Sequence, residues 1–264
     1  MVPPTKDIDW FDNDDFWRTF YPAMFDADSF SRARAECTQW LALAGLESPR
    51  VLDLACGPGR HAVPLAEMGL NVTGVDLSHY LLHKAQDYAK QQRVVVTWTQ
   101  HDMRTYHHQA SYGLILNLFS SFGYFDTWDE NQQVLNLCYR NLHPGGALIM
   151  ELHGKEHIVR DLQGVHAQEF DTPELTGCVL YQRPCLSCDL TRLHNEWTLV
   201  CSDRVHRHEY SHFIYTAQEL RMMAQRAGFQ HIEIYGDING GQYDLDSERL
   251  IVVAHKKNNQ SAKS

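Results

Sequence analysis

Residues 51–63, VLDLACGPGRHAV, constrain the fold of this chain more than any other stretch. The segment opens with a continuous apolar run typical of a strand buried on both faces, formed by Val51, Leu52, Leu54 and Ala55. The run breaks at Gly57-Pro58-Gly59, after which a helical pattern resumes. This order predicts a strand, a glycine turn and a helix N-terminus. The free backbone N–H groups there favour an anionic or polar ligand, and the glycines let it approach the backbone closely.

Two classes of cofactor-binding protein use such a turn. Gly57-x-Gly59-x-x-Ala62 matches the dinucleotide fingerprint, with Asp76 as the acid that ends the second strand. That interpretation leaves Asp53 unexplained, because a carboxylate near the tip of the first strand would repel an incoming pyrophosphate, whereas it would attract a cationic ligand. A turn without any ligand is the remaining alternative, although two glycines and two strand-end acids in register exceed what packing requires.

The pattern Asp53-x-x-Cys56-Gly57-x-Gly59, followed by Gly74-Val75-Asp76, resembles the first two motifs of the class I S-adenosylmethionine-dependent methyltransferases. The resemblance implies that the cofactor is S-adenosylmethionine, which leaves as S-adenosylhomocysteine. It also implies that Asp53, Gly57 and Gly59 line the methionine side of the cofactor and that Asp76 binds both ribose hydroxyls.

The same resemblance assigns the adenine end of the cofactor. Asp102 is expected to contact the adenine amino group, and Met103 to pack on the ring. From local sequence alone, Asp102 is equally typical of a helix or turn cap. The full set of cofactor-binding residues implied by the resemblance is Asp53, Ala55, Gly57, Gly59, Arg60, Asp76, Leu77, Asp102, Met103, Leu118 and Phe119.

The loop Phe119-Ser-Ser-Phe-Gly-Tyr124 follows the predicted fourth strand, residues 112–118. Loops at the carboxyl edge of an open α/β sheet bind ligands, so its hydroxyl groups are placed to face a reacting centre. The loop looks like the one in small-molecule N-methyltransferases, including those that act on glycine-type amines and on amino sugars. In the alternative interpretation, the phenylalanines plug the sheet edge and Gly123 makes a turn.

Strands and helices alternate along most of the chain and predict an α/β fold. The expected core strands are residues 51–55, 71–75, 94–99, 112–118, 147–152, 231–235 and 250–255. The connection between the last two is too short for a crossover helix, so they should pair antiparallel. Pro64 suits only the first turn of a helix, which predicts that the helix after the glycine turn begins late or kinks.

The resemblance implies a Rossmann-like, seven-stranded, mostly parallel sheet with one antiparallel strand. The strand and turn pattern of the remaining residues adds an inserted antiparallel β lid. Residues 46–153 and 214–257 are expected to form this core. Residues 1–45 form an N-terminal aromatic helical lid, with Phe16, Trp17, Phe20 and Tyr21 on one helical face. Residues 154–213 form the inserted sheet over the acceptor site, with strands at 179–182, 193–201 and 205–215, and residues 258–264 a disordered tail.

Charge and composition limit the classes of partner that we expect this protein to bind. The formal net charge of −10 opposes nucleic-acid binding and favours a small-molecule acceptor. There is no basic stretch followed by an apolar segment and no run of about 18 apolar residues, so we expect a cytoplasmic protein that does not enter a membrane. The cysteines, odd in number and scattered, are not expected to form a disulfide framework. The sequence leaves the oligomeric state open.

Two groups of residues have partial metal-ligand spacing. Cys185-Leu-Ser-Cys188 lacks a second ligand pair, and His206, His208 and His212 share one strand face without completing a site. We therefore expect no bound metal and no stoichiometric zinc.

The chemistry implied by the resemblance is a direct in-line displacement that transfers a methyl group to a small-molecule acceptor, with an amine nitrogen as the expected target. Positioning of the reactants supplies most of the acceleration, while a nearby side chain helps to remove a proton. The catalytic candidates are His153, Tyr124 and Tyr21. A non-catalytic S-adenosylmethionine-binding sensor or scaffold is the alternative function, and an NAD-dependent dehydrogenase is the third.

Overall fold

The computed structural model describes residues 9–162, 164–170 and 172–258. Its helices are α1 (Asp14–Met24), α2 (Ala27–Ala44), α3 (Ala62–Glu67), α4 (His79–Gln92), α5 (Trp128–Asn141), α6 (Lys155–Asp161) and α7 (Ala217–Ala227). Its strands are β1 (Val51–Leu54), β2 (Val72–Asp76), β3 (Thr97–Gln100), β4 (Tyr112–Asn117), β5 (Leu142–Leu152), β6 (His166–Glu169), β7 (Val179–Leu186), β8 (Arg192–Val200), β9 (Val205–Phe213), β10 (His231–Tyr235) and β11 (Leu250–His255). A 3-10 turn at Trp10–Asp12 precedes α1.

The main sheet has seven strands in the order β10-β11-β5-β4-β1-β2-β3. The strands from β5 to β3 in this order are parallel, whereas β11 runs antiparallel to both β5 and β10. Every residue of β1 is buried, as its apolar run predicts. The predicted α/β fold is thus confirmed, and the carboxyl ends of β1, β2, β3, β4 and β5 meet at one edge of the sheet.

A second, antiparallel sheet contains β6, β7, β8 and β9 in chain order. The sequence pattern predicts the last three strands of this sheet but neither β6 nor α6. All the residues of β6 are exposed, so the strand has no apolar alternation that a pattern search detects. Gly123 joins this sheet to the loop after β4, because the backbone N–H of Phe213 donates to the carbonyl of Gly123 at 2.8 Å.

Several boundaries differ from the predicted ones. Strand β3 begins at Thr97, because the N–H of Val94 is used to close the end of α4 by donating to the carbonyl of Ala89. Strand β5 begins at Leu142, where a register shift next to Tyr112 lets an additional residue pair form before the regular ladder. Helix α3 begins late and holds Pro64 in its first turn, as Pro64 predicts.

No disulfide framework is expected from the scattered cysteines, but one pair of them is bonded. Cys178 and Cys201 form a disulfide. Because Val179 pairs with Val200 across β7 and β8, the two cysteines that flank these strands lie opposite each other. The pairing depends on strand register, which the spacing of the cysteines in the sequence does not reveal. Cys185 and Cys188 are free thiols.

Helix α1 connects the two sheets. Its N-cap Asn13 accepts hydrogen bonds from the first turn, and the carboxylate of Asp14 accepts from the N–H of Tyr80 and the hydroxyl of Ser78 at the start of α4. Its buried aromatic side chains pack in one cluster with α4 and the second sheet, which includes Phe16, Trp17, Phe20, Leu81, Leu180 and Leu199. The predicted aromatic face is therefore a packing surface between the sheets.

Residues 1–8 of the predicted N-terminal lid and residues 259–264 of the predicted tail lie outside the described residues. Within the described ranges, no helix is both long and apolar enough to cross a lipid bilayer.

Gly59 provides a test of the packing beneath the glycine turn. It has φ of +78°, and an added Cβ would lie 2.9 Å from the Trp98 ring and 3.1 Å from Ala85. We expect Gly59→Ala to lower the free energy of unfolding by about 2–5 kcal/mol, because a left-handed backbone costs an L-residue about 1–2 kcal/mol and overpacking adds about 1–3 kcal/mol. Urea denaturation measures this change.

Gly45 is the matched control, since it has φ of +63° and open space where a Cβ would lie. Gly45→Ala should lower the free energy of unfolding only by the cost of the left-handed backbone, about 1–2 kcal/mol. An equal loss in the two variants would show that contact with Trp98 and Ala85 contributes nothing.

Candidate functional site

A cavity of about 470 Å³ lies at the carboxyl edge of the main sheet. Its floor is the turn after β1, and its walls come from the ends of β2, β3 and β4, from α1 and α2, and from the second sheet through Gln182 and Trp197. The predicted site residues that line it are Asp53, Ala55, Gly57, Arg60, Asp76, Leu77, Asp102, Met103, Leu118, Phe119 and Tyr124. The structure thus brings most of the predicted cofactor residues to one cavity.

Three predicted site residues are not among those that line the cavity. Gly59 faces Trp98 and Ala85, so it allows α4 to approach the turn closely. Tyr21 packs against Phe25 with ring centroids 5.0 Å apart, and burial raises the pKa of its hydroxyl to about 12. His153 is exposed, and its ring Nδ1 lies 3.3 Å from a backbone carbonyl, that of Glu248.

Asp76 ties the glycine turn to the start of α4. Its Oδ2 accepts a hydrogen bond from the N–H of Gly57 at 2.8 Å, and its Oδ1 accepts from the N–H of Ser78 at 3.0 Å. Burial raises the pKa of this carboxyl to about 6, against the opposing effect of the N–H groups. Each oxygen keeps a second lone pair with which it can accept a hydrogen bond from a ligand.

Asp53 is a buried carboxylate with an unsatisfied oxygen. The residue is 3% exposed, and within the described part of the chain its Oδ2 has no hydrogen-bond partner. Burial, followed by the charge of Asp76, raises the pKa of Asp53 to about 7. A buried charge without a partner is costly, so a cationic group in the cavity would stabilise the ionised form of Asp53.

Arg60 has the opposite charge and a similar unsatisfied atom. Its Nη1 donates to the carbonyl of Ser29 at 3.2 Å and lies 3.5 Å from the Glu36 carboxylate, while Nη2 is buried without a partner among the described residues. Asp53 and Arg60 both line the cavity, and each has one buried polar atom without a partner among the described residues. This pair complements a ligand that carries both an ammonium and a carboxylate, such as an α-amino acid group.

The loop after β4 contains two consecutive residues with left-handed backbone, Phe119 with φ of +56° and Ser120 with φ of +55°. Such a conformation costs a non-glycine residue about 1–3 kcal/mol and persists only where its surroundings hold it. The buried Glu151 at the end of β5 holds this loop. Its side chain accepts from the N–H of Phe119 at 3.2 Å, and its carbonyl accepts from the N–H of Ser120 at 2.9 Å. Arg249 forms an ion pair with the same carboxylate.

Asp102 lies in the cavity lining and also caps a turn. It lines the cavity, and its carboxylate also accepts hydrogen bonds from the N–H and the guanidinium of Arg104, the closest at 2.6 Å. Burial raises the pKa of Asp102, but the bonds from Arg104 outweigh it and hold the pKa below its usual value. The carboxylate is therefore ionised at neutral pH.

Tyr124 lies where the cavity meets the second sheet. Its ring centroid is 5.0 Å from those of Trp10 and His212. Burial raises the pKa of the Tyr124 hydroxyl well above its usual value, so the group is neutral at physiological pH. Burial, followed by the charge of Arg192, lowers the pKa of His212 to about 4, so this imidazole is neutral as well.

Several cavity residues were missed by sequence reasoning because they carry no sequence signal of a ligand site. Trp10 and Trp197 show only the apolar signal of packing residues, and Gln182 reaches the cavity through the register of β7. Arg32 and His61 lie close to the glycine turn in space, yet their spacing carries no motif. In the part of the chain that is described, no group of three or more His, Cys, Asp or Glu residues is arranged to hold a metal ion.

Known proteins resemble this chain in both sequence and structure. A family model described as a methyltransferase domain matches residues 51–146. The chain is 27% identical over 225 residues to YqeM of Bacillus subtilis (strain 168), covering 83% of this chain and 89% of YqeM. It is 26% identical over 219 residues to a glycine/sarcosine N-methyltransferase of Halorhodospira halochloris, covering 79% of this chain and 75% of that protein. The CcbJ methyltransferase from Streptomyces caelestis has the same fold, with a TM-score of 0.80 at 18% identity over 96% of this chain and 100% of CcbJ.

Asp53 gives the stability of the protein a specific pH dependence. Its folded-state pKa of about 7 lies above the ordinary value of 3.8, so between these values the folded state holds the additional proton. Its contribution to stability is therefore complete below about pH 4 and is lost as the pH rises to about 7. We expect Asp53→Asn to remove this loss. The free energy of unfolding of the variant minus that of wild type should therefore increase by roughly 2–3 kcal/mol from pH 5 to pH 8.

Urea denaturation of both proteins without added ligand, at pH 5 and at pH 8, measures this difference. A stability difference between them that is the same at the two pH values would contradict the raised pKa of Asp53.

Proposed function

Because the chain belongs to the class I S-adenosylmethionine-dependent methyltransferases, we propose that it transfers a methyl group from S-adenosylmethionine to the nitrogen of a small-molecule amine. One observation carries the proposal. The glycine turn after β1 and the hydroxyl-bearing loop after β4 line the same cavity, and aromatic side chains from the N-terminal segment and the second sheet close it.

The residues present fit the cofactor. The free Oδ2 of Asp53 and the free Nη2 of Arg60 would hold the ammonium and the carboxylate of its methionine part. Asp76 has lone pairs that would accept hydrogen bonds from the ribose hydroxyls, and Asp102 and Met103, which line the same cavity, would contact the adenine. The raised pKa of Asp53 supports this assignment, because a nearby ammonium favours the ionised carboxylate and so relieves the cost of burying it.

When bound, S-adenosylmethionine supplies an electrophilic methyl group on a sulfonium. The residues around the cavity hold the amine in line with that group and exclude water, and such positioning is worth up to about 7–11 kcal/mol of the barrier. The neutral hydroxyl of Tyr124 accepts a hydrogen bond from the amine and orients its lone pair. Aromatic faces such as Trp10 and Trp17 stabilise the positive charge that develops on nitrogen, by about 0.5–2 kcal/mol each.

Nitrogen and a small acceptor are supported by two further observations. The relative from Halorhodospira halochloris is a glycine/sarcosine N-methyltransferase. The formal charge of −10 opposes the approach of nucleic acid and attracts cationic amines.

Transfer of labelled methyl groups into a fractionated metabolite extract tests the proposal. We expect a labelled small molecule whose methyl group resides on nitrogen. An O-methyl or C-methyl product contradicts the nitrogen assignment. Binding of S-adenosylhomocysteine without transfer to any fraction favours a sensor over an enzyme.

Replacement of Asp76 tests the ribose assignment. We expect Asp76→Asn to weaken S-adenosylhomocysteine binding by about 1.5–3 kcal/mol, because it removes a charged acceptor of hydrogen bonds. Titration calorimetry measures the affinity, and NAD should give no binding signal with either protein. Asp87→Asn, at an exposed position of α4, is the control and should bind as wild type does. Unchanged affinity in Asp76→Asn would remove Asp76 from the site.

Replacement of Tyr124 separates the acceptor side from the cofactor side. We expect Tyr124→Phe to lower kcat about tenfold or more while the affinity for S-adenosylhomocysteine stays within about twofold, because the lost hydrogen bond acts on the acceptor. Tyr181→Phe, at an exposed position of β7, is the control. Equal losses of turnover and of cofactor binding would move Tyr124 to the cofactor side.

A further inference from the structure

Three arginines gather at one wall of the cavity. Arg32 of α2 and Arg60 of the glycine turn both line it. The guanidinium carbons of Arg60 and Arg249 lie 3.6 Å and 4.9 Å from the centroid of the Phe119 ring. Burial, together with the charges of its two neighbours, lowers the pKa of Arg60, so the three side chains are close enough to repel one another.

Two of the three arginines have a carboxylate partner. Glu36 lies 3.5 Å from Arg60, and Glu151 pairs with Arg249. In the described part of the chain, Arg32 pairs with no carboxylate. Glu36 also accepts a hydrogen bond from His61, an imidazole whose pKa is lowered by its burial and which is therefore neutral at pH 7.

Arg60 is the most deeply buried of the three, and its free Nη2 is assigned above to the carboxylate of the cofactor. Arg249 has a side chain that is 40% exposed and spare N–H donors beyond its bond to Glu151. Arg32 is exposed and free of a carboxylate partner in the described residues, so these two arginines remain for another anion.

We propose that the methyl acceptor carries a carboxylate as well as its amine, and that Arg32 and Arg249 bind this carboxylate beside Phe119. The proposal rests on the function proposed above and specifies its substrate class as an amino acid or a related amino carboxylate. The Phe119 ring, 42% exposed, provides an apolar surface between the two guanidinium groups and the acceptor.

Binding to the full chain saturated with S-adenosylhomocysteine tests the proposal independently of methyl transfer. The probes are two matched pairs, glycine with methylamine and L-phenylalanine with phenethylamine, in which the partners differ only by a carboxylate. We add 3-phenylpropionate, which keeps the carboxylate and lacks the amine, and O-phosphoethanolamine as the phosphate probe. We expect at least one amino acid of the pairs to raise the melting temperature, and to bind at least tenfold more tightly than its amine.

Arg32→Gln is the diagnostic variant, and Arg34→Gln on the same helix is its control, since Arg34 pairs with Glu67 away from the cavity. Arg32→Gln should lower the affinity for the carboxylate probes about tenfold and keep the affinity for S-adenosylhomocysteine within about twofold of wild type. Arg34→Gln should change neither affinity. Failure of every carboxylate probe to bind, or equal binding of amine and amino acid, overturns the proposal. So does a preference for O-phosphoethanolamine. An equal loss of S-adenosylhomocysteine affinity in Arg32→Gln assigns the arginine to the cofactor and also overturns it.

The metabolite extract gives a second test on the acceptor itself. Methyl esterification of the extract should lower the labelling by wild type at least tenfold. Phosphatase treatment should leave the labelling unchanged. Persistence of labelling after esterification overturns the carboxylate. Binding of 3-phenylpropionate that depends on Arg32, in a protein that labels no amine, supports the anion site while contradicting the proposed function.

Discussion

The hydrogen bond from the Gly57 N–H to the Asp76 carboxylate holds the glycine turn in place, and the rest of the site depends on it. It fastens the turn after β1 to the tip of β2, and the second oxygen of Asp76 fastens the same point to the N-terminus of α4 through Ser78. With the turn held, Asp53 and Arg60 both line one cavity, and each keeps a buried polar atom without a partner among the described residues. One acid thus both shapes the glycine turn and remains available to a ligand.

The cavity stores unfavourable electrostatic energy that a zwitterionic ligand relieves. Asp53 is buried with an unsatisfied oxygen, Arg60 with an unsatisfied nitrogen, and each unmade bond costs about 1–3 kcal/mol or more for a charged group. The hydrogen bonds that hold the surrounding loop keep the cavity from collapsing onto these atoms. The left-handed residues Phe119 and Ser120 are held by Glu151 on one side, and the Phe213 N–H holds Gly123 on the other. The unsatisfied atoms and the left-handed residues therefore lower the stability of the fold at the same place where they favour ligand binding.

The part of the site that depends on local sequence could be predicted, and the part that depends on long-range packing could not. Asp53, Gly57 and Asp76 stand at the ends of adjacent strands, so their spacing along the chain reports their position in space. Trp197 reaches the cavity, and Cys178 meets Cys201, only through the register of β7 and β8. A register of this kind follows from pairing partners far apart in sequence, which no single segment encodes.

The division between the two sheets suggests why cofactor and acceptor recognition can vary independently. The groups proposed to bind the cofactor come from the tips of β1 and β2, which the two Asp76 bonds hold in place. The elements proposed to face the acceptor include α1, α2 and the second sheet, which lie outside the parallel ladder and contact the core through side chains and a backbone hydrogen bond at Gly123. Substitutions at Trp10, Arg32 or Trp197 can therefore change the shape and charge that the acceptor meets while the strand tips, and with them the cofactor site, keep their geometry.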